Sequence, residues 1–486
     1  MSYVAIVVIK MNTTHITKFI LVLSIFLAGG VFIWWIFHDP VSSLTVSVPG
    51  MDNRGKKSAV PSEVVRIGDS FALFKTSVDL PGTRWPRFRG SDFDNINKEN
   101  IPLIDKWGND GPKILWKTDL GEGHAAPAVY DGKVYLLDYD EVKRADALRC
   151  FSLLTGEELW RRWYHVRLKR NHGLSRTVPA VNEKYVVTIG PRCQVMCVER
   201  ITGNFLWGYD IAREYESEVP FWYTGQCPLI DNDTAVIATG GKSLMIGIDC
   251  KTGKKAWETP NPRQWKMSHS SVMPMTFKGK KMYVYIAIGG ICGISAGGYD
   301  KGQLLWESTE FAPAVVAPSP LVLDNGKIFF TAGYGAGSAL VQISESEGKF
   351  KARIVQQYKP SEGLASEQQT PVFVNGYIYG ILPKDAGAER NQFVCCKPDD
   401  VMNFIMKSGK SERFGLGPYL LADGKFFILN DDGEMTIATA SPTRFRILDR
   451  KRIIDGQDSW GPLVITGGYL LMRDSKQMVC IDIKAK

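Results

Sequence analysis

Three of the chain's six histidines stand just ahead of a proline: His124 before Pro127, His172 before Pro179 and His269 before Pro274. Imidazoles, with Arg176 beside them, supply hydrogen-bond donors, and neutral imidazole also ligates transition metals. Other polar and aromatic side chains hold the same place relative to a proline. Trp222, Tyr223 and Gln226 precede Pro228, Ser270 follows His269, Glu367 and Gln368 precede Pro371, and Asp458 and Trp460 precede Pro462. Donors from Arg176 and the histidines, set against flat walls from Trp222, Tyr223 and Trp460, suit a pocket for a small polar or anionic ligand. Two other readings stay open. The residues could cap strand ends and hold water in a channel, or three imidazoles and Glu367 could take a metal, although no H-x-x-x-H spacing supports this. No catalytic residue is assigned.

For residues so far apart to meet, the chain must be built of repeats. Prolines at 127, 179, 228, 274, 320, 371, 418 and 462 each open a short apolar run, with gaps of 44 to 52 residues. A second motif keeps step: Thr155-Gly156 precedes Trp160, Thr202-Gly203 precedes Trp207, Thr252-Gly253 precedes Trp257, and Lys301-Gly302 precedes Trp306. Within one period, residues 128–137 read as strand, Asp-Gly turn and strand, residues 147–152 as a third strand, and 157–160 as the start of a fourth. Such a unit repeated radially is a β-propeller. The last repeat has three strands, and residues 114–119 look like a fourth strand without a first three. Pairing the two would close the ring and remove two exposed edges. The expected fold is all-β, an eight-bladed propeller of four-stranded antiparallel blades over residues 114–486. In such a blade the segments before the prolines lie on one face, the upper face below, and the Thr-Gly turns on the other.

The segment Gly247-Ile-Asp249-Cys-Lys-Thr252-Gly253-Lys-Lys-Ala-Trp257 resembles the A-x-D-x-x-T-G-x-x-x-W docking motif of propellers related to pyrroloquinoline quinone (PQQ) enzymes. Trp85-Pro-Arg-Phe-Arg-Gly90 is similar to a lead-in found before bacterial propellers of this group. The later blades depart from the motif, since Glu347-Gly348 has no Trp four residues on and the Cys395 repeat lacks Thr-Gly. The resemblance implies either a binding or scaffolding module, like the propeller lipoprotein of outer-membrane assembly, or a quinoprotein alcohol dehydrogenase-type oxidoreductase using PQQ with calcium. The calcium-binding motifs of the enzymes have no residue-by-residue match. Cys395-Cys396 is similar to the adjacent-cysteine disulfide that covers the quinone in some of them. The repeat phase instead puts Cys395 with Cys150, Cys197 and Cys480 in a small-residue slot of the third strand, where a buried thiol behaves as a small hydrophobe.

Ahead of the repeats, residues 19–37 carry no charge and are long enough to cross most of a bilayer core as a helix. Lys10 and Lys18 precede this run, and no small-residue cleavage site follows it. The expectation is a retained single-pass anchor in a bacterial inner membrane: cytoplasmic tail 1–18, anchor 19–37, stalk 38–83, lead-in 84–113, and the propeller on the periplasmic side. The net charge of +8 is spread without a run of five like charges, which argues against nucleic acid as a partner. The expected partners are the membrane, through 19–37, and a protein or small polar ligand at the propeller mouth.

Overall fold

A computed structural model describes residues 13–38, 64–76, 80–108 and 111–485. The chain divides into two compact units, residues 1–55 and 56–486. In the first, a helix runs Thr13–Phe37. Its segment Ile16–Phe37 is 22 residues long, about 33 Å at 1.5 Å per residue, and apolar enough to cross a membrane. Large apolar side chains such as Phe26, Leu27 and Trp35 lie on its surface. The helix begins earlier than the expected boundary at residue 18, and residues 1–12 of the expected tail lie outside the described residues.

The second unit is an eight-bladed propeller of antiparallel sheets. Blade 1 is built from Ala128–Tyr130, Lys133–Asp140, Ala145–Ser152 and Glu158–His165, in that order from the axis outward. Blades 2 to 7 repeat the plan. Blade 8 takes three strands, Val464–Thr466, Tyr469–Arg473 and Gln477–Asp482, from the C-terminal end and its outermost, Lys113–Asp119, from before blade 1. Cys480 pairs with Trp116 across this junction, so the expected closure holds.

The Thr-Gly-x-x-x-Trp motif has a plain physical role. Each turn glycine rests on the tryptophan of the preceding blade: a Cβ on Gly203 would lie 2.8 Å from the Trp160 ring, and one on Gly253 would lie 2.7 Å from Trp207. Both glycines have positive φ, 71° and 70°, so the turn and the close approach each require the missing side chain. The indole N–H of Trp207 then donates to the Cys250 carbonyl at 2.8 Å, and that of Trp116 to Leu153 at 2.8 Å. Blade-to-blade docking is thereby repeated along the early repeats, and the buried core lies between neighbouring blades. All nine cysteines are buried with free thiols. Cys395 and Cys396 sit within the third strand of blade 6, away from the axis-facing loops.

The segment before the first repeat is more integrated than a stalk and lead-in suggest. Ser70–Leu73 pairs antiparallel with Trp160–Trp163 and becomes the outer edge of blade 1. The expected stalk therefore does not extend to residue 83, because pairing satisfies an otherwise open sheet edge; residues 39–63 lie outside the described residues. Further on, Arg84–Trp85 adds to the innermost strand of blade 1, and Ile96–Asn97 runs parallel to the innermost strand of blade 7. Between them Arg89, buried at 4% exposure, donates to the carbonyls of Thr370 and Pro371 at 2.8 and 2.9 Å. The Trp-Pro-Arg-Phe-Arg-Gly segment thus crosses one mouth of the axis and ties blade 1 to blade 6, which are not neighbours in the ring.

Candidate functional site

Above this crossing the axis opens into a cavity of about 270 Å³, with Phe88 of the crossing segment in its lining. His124, His172 and Arg176 reach it from the segments before blades 1 and 2. Trp222 and His269 come from those before blades 3 and 4, Glu367 and Gln368 from that before blade 6, and Trp460 from that before blade 8. The repeat phase therefore places these side chains around one space.

Four other candidates do not line it. Gln226 is fully buried, and its amide exchanges two 2.8 Å bonds with the backbone of Ala238, so it extends the pairing of blade 3. Tyr223 turns away with φ 67°, and its hydroxyl bonds the N–H and C=O of Lys169, each at 2.7 Å. Ser270 is buried behind its neighbour Ser271, which lines the cavity in its stead. Asp458 adopts φ 56° and leaves Trp460 to Asp431, whose Oδ1 accepts the indole N–H at 2.8 Å. In each case the local loop conformation, and not the phase relative to the proline, decides which side chain faces the axis.

Sequence reasoning also missed lining residues. Tyr334 and Lys384 come from the loops between the second and third strands of blades 5 and 6, which share the upper face. Tyr334 belongs to the glycine-rich Gly333–Gly337 segment. The signal for both was the topology: those loops open on the same face as the proline-preceding segments.

One wall is aromatic: the rings of Trp222 and Tyr334 stack with centroids 5.9 Å apart, and His269 leans on Trp222 at 6.1 Å. Elsewhere His124 packs against Trp460 at 5.1 Å. The electrostatics centre on Arg176. Its Nη2 donates to the carbonyls of Asn171, His172 and Gly173, while its Nε is buried without a hydrogen-bond partner. No carboxylate pairs with it among the described residues. Burial pushes the guanidinium down to about 10. Burial, with the charge of Arg176, also holds His124 down to about 3 and His269 to about 4, so both imidazoles are neutral at ordinary pH. Glu367 is raised by burial, opposed by the charge of Lys384. Its Oε2 accepts the Lys384 backbone N–H at 3.4 Å.

This donor set does not fit a calcium–quinone centre. Calcium takes six to eight oxygen ligands, whereas Glu367 is the single carboxylate among the lining residues. Among the described residues no group of three or more His, Cys, Asp or Glu is placed to hold a metal, so the three histidines do not form a metal site either.

Fold and site together define a PQQ-like eight-bladed propeller with an axial cavity on the upper face. The family model described as outer membrane protein assembly factor BamB matches residues 144–388, half of the chain, and the chain belongs to that family. No curated protein matches it. Among solved structures it is similar to BamB from Moraxella catarrhalis, with 13% identity over 76% of this chain and 99% of that one and a TM-score of 0.50. It is also similar to the quinohemoprotein alcohol dehydrogenase from Comamonas testosteroni, with 10% identity over 83% and 81% and a TM-score of 0.52. Quinohemoprotein alcohol dehydrogenase ADHIIG from Pseudomonas putida HK5 gives 13% identity over 84% and 81%, with a TM-score of 0.51. At such identities the likeness is one of fold.

Proposed function

We propose that the chain is a membrane-anchored, extracytoplasmic binding module that engages a protein partner or small polar ligand through the upper face of its propeller. The observation that carries this reading is the axial cavity: residues from all eight blades line it, and two buried polar atoms in its wall, His124 Nδ1 and Arg176 Nε, have no partner. Buried donors and acceptors are ordinarily satisfied, so orphaned atoms around an open space mark where a ligand completes the bonding. The apolar helix Ile16–Phe37 supports the anchor, and the BamB family supports a scaffolding role beside membrane partners. A dehydrogenase reading is not favoured, because Glu367, the single carboxylate in the lining, cannot serve both calcium and as a catalytic base.

The test is site-specific photo-crosslinking in intact cells. A photoreactive residue at Arg170, exposed on the upper face, should form discrete adducts, and one at Tyr299, exposed in a turn of the opposite face, should not. Adducts at 299 alone would refute the assignment of the working face.

A further inference from the structure

The cavity's chemistry points to the sign and shape of what it holds, an inference that rests on reading the cavity as the recognition site. Arg176 is a cation set in the wall without a counter-ion, and one of its N–H groups has no acceptor. Leaving a buried guanidinium so placed costs several-fold more than leaving a neutral group, unless an anion completes it. The second cation in the lining, Lys384, acts through its charge on Glu367, whereas Arg176 has no carboxylate partner among the described residues.

The loop that delivers Arg176 continues the pattern outward. Arg167 and Lys169 are exposed on it and have no carboxylate partner among the described residues, while Arg170 pairs with Glu122 at 3.0 Å. An anion approaching the mouth therefore meets a basic rim first and the unpaired guanidinium next. Beside Arg176 stands the stacked Trp222–Tyr334 wall, a flat apolar surface. Two lining residues on these loops, His172 and Tyr334, hold positive φ angles of 41° and 55°. Strained backbone of this kind persists where the surroundings fix a side chain in place.

We propose that the axial cavity is a carboxylate site, in which Arg176 receives the carboxylate and the Trp222–Tyr334 wall receives a flat unsaturated group held close beside it in the same ligand. The carboxylate could be carried by a free aromatic acid or presented by an acidic, aromatic segment of a protein; the recognition chemistry is the same.

The experiment is calorimetric titration of the full chain in lipid nanodiscs with benzoate, with its neutral isostere benzamide, and with a capped peptide alternating glutamate and phenylalanine. Benzoate should bind at least about tenfold more tightly than benzamide, and Arg176→Gln should remove that preference while Arg176→Lys keeps most of it. If Arg176→Gln lowers the melting point, Trp222→Leu serves as the second variant and should weaken benzoate and benzamide alike; unchanged binding of both in a stably folded Trp222→Leu would overturn the assignment of the aromatic wall. Binding of the peptide, weakening with salt, assigns the carboxylate to a protein; binding of benzoate alone assigns it to a small molecule. Equal binding of benzoate and benzamide would overturn the anion assignment and leave the binding cavity standing. Binding of none of the three would refute both.

Discussion

Replacing Asp146 by asparagine separates the cost of burying a charge from the packing around it. Asp146 is fully buried in blade 1. The Tyr164 hydroxyl donates to its Oδ2 at 2.7 Å, and its Oδ1 has no partner. Burial pushes the carboxyl up from its ordinary 3.8 to about 7; Tyr164 opposes the change and the charge of Asp138 reinforces it. Between those two pH values the folded chain retains a proton that the unfolded chain has released. The stability is therefore complete below pH 3.8 and declines as pH rises toward 7. The gap of about three pH units corresponds to about 4 kcal/mol at pH 8 and about 2 kcal/mol at pH 5. Asparagine keeps the shape, can still accept from Tyr164, and carries no charge at any pH. Asp146→Asn should accordingly gain about 2 kcal/mol more over the parent at pH 8 than at pH 5. Comparing the two proteins at each pH by denaturant unfolding cancels the titration of every other group. A difference that stays flat with pH, or grows toward acid, would refute the buried-carboxylate reasoning.

The remaining expectations concern other parts of the molecule. His124 is held neutral, so the stability it contributes is full above pH 6.5 and falls with pH toward 3; His124→Gln should reduce acid lability by about 2 kcal/mol at pH 5, measured by unfolding at pH 5 and 7.5. Gly203→Ala sets a methyl against Trp160 at positive φ and should cost about 1–3 kcal/mol, read as a lower unfolding midpoint. Trp116→Ala removes the indole that joins blade 8 to blade 1 and should cost about 3–5 kcal/mol; a loss below 1 kcal/mol would argue against closure as a stabilising device. All nine thiols should resist a polar thiol reagent in the native state, because burial raises those whose titration is displaced, Cys227 and Cys395 to about 11. Rapid labelling of even one would contradict its burial.

The fold was legible because its signals are periodic. The prolines, the Thr-Gly turns and the tryptophans recur in step, and the structure shows why: each glycine docks on the previous blade's indole, so the spacing is imposed by inter-blade contact. The unpaired strand around Trp116 could be matched to its partner for the same reason. The segment before the repeats was less legible. Ser70–Leu73 and Ile96–Asn97 are short, and they are strands only because an existing sheet edge accepts them. At the site, repeat phase carried His124, Arg176 and His269 to the axis but could not tell Ser270 from Ser271, or foresee that Gln226 would spend its amide on Ala238. Those outcomes depend on loop dihedrals and on which backbone groups need partners, and neither is periodic.

The most direct test of the account is the structure of the chain determined with benzoate at a saturating concentration. The carboxylate should lie within hydrogen-bond distance of Arg176 Nε, with the ring against Trp222 and Tyr334. Benzoate bound elsewhere, with the axial cavity empty, would contradict it.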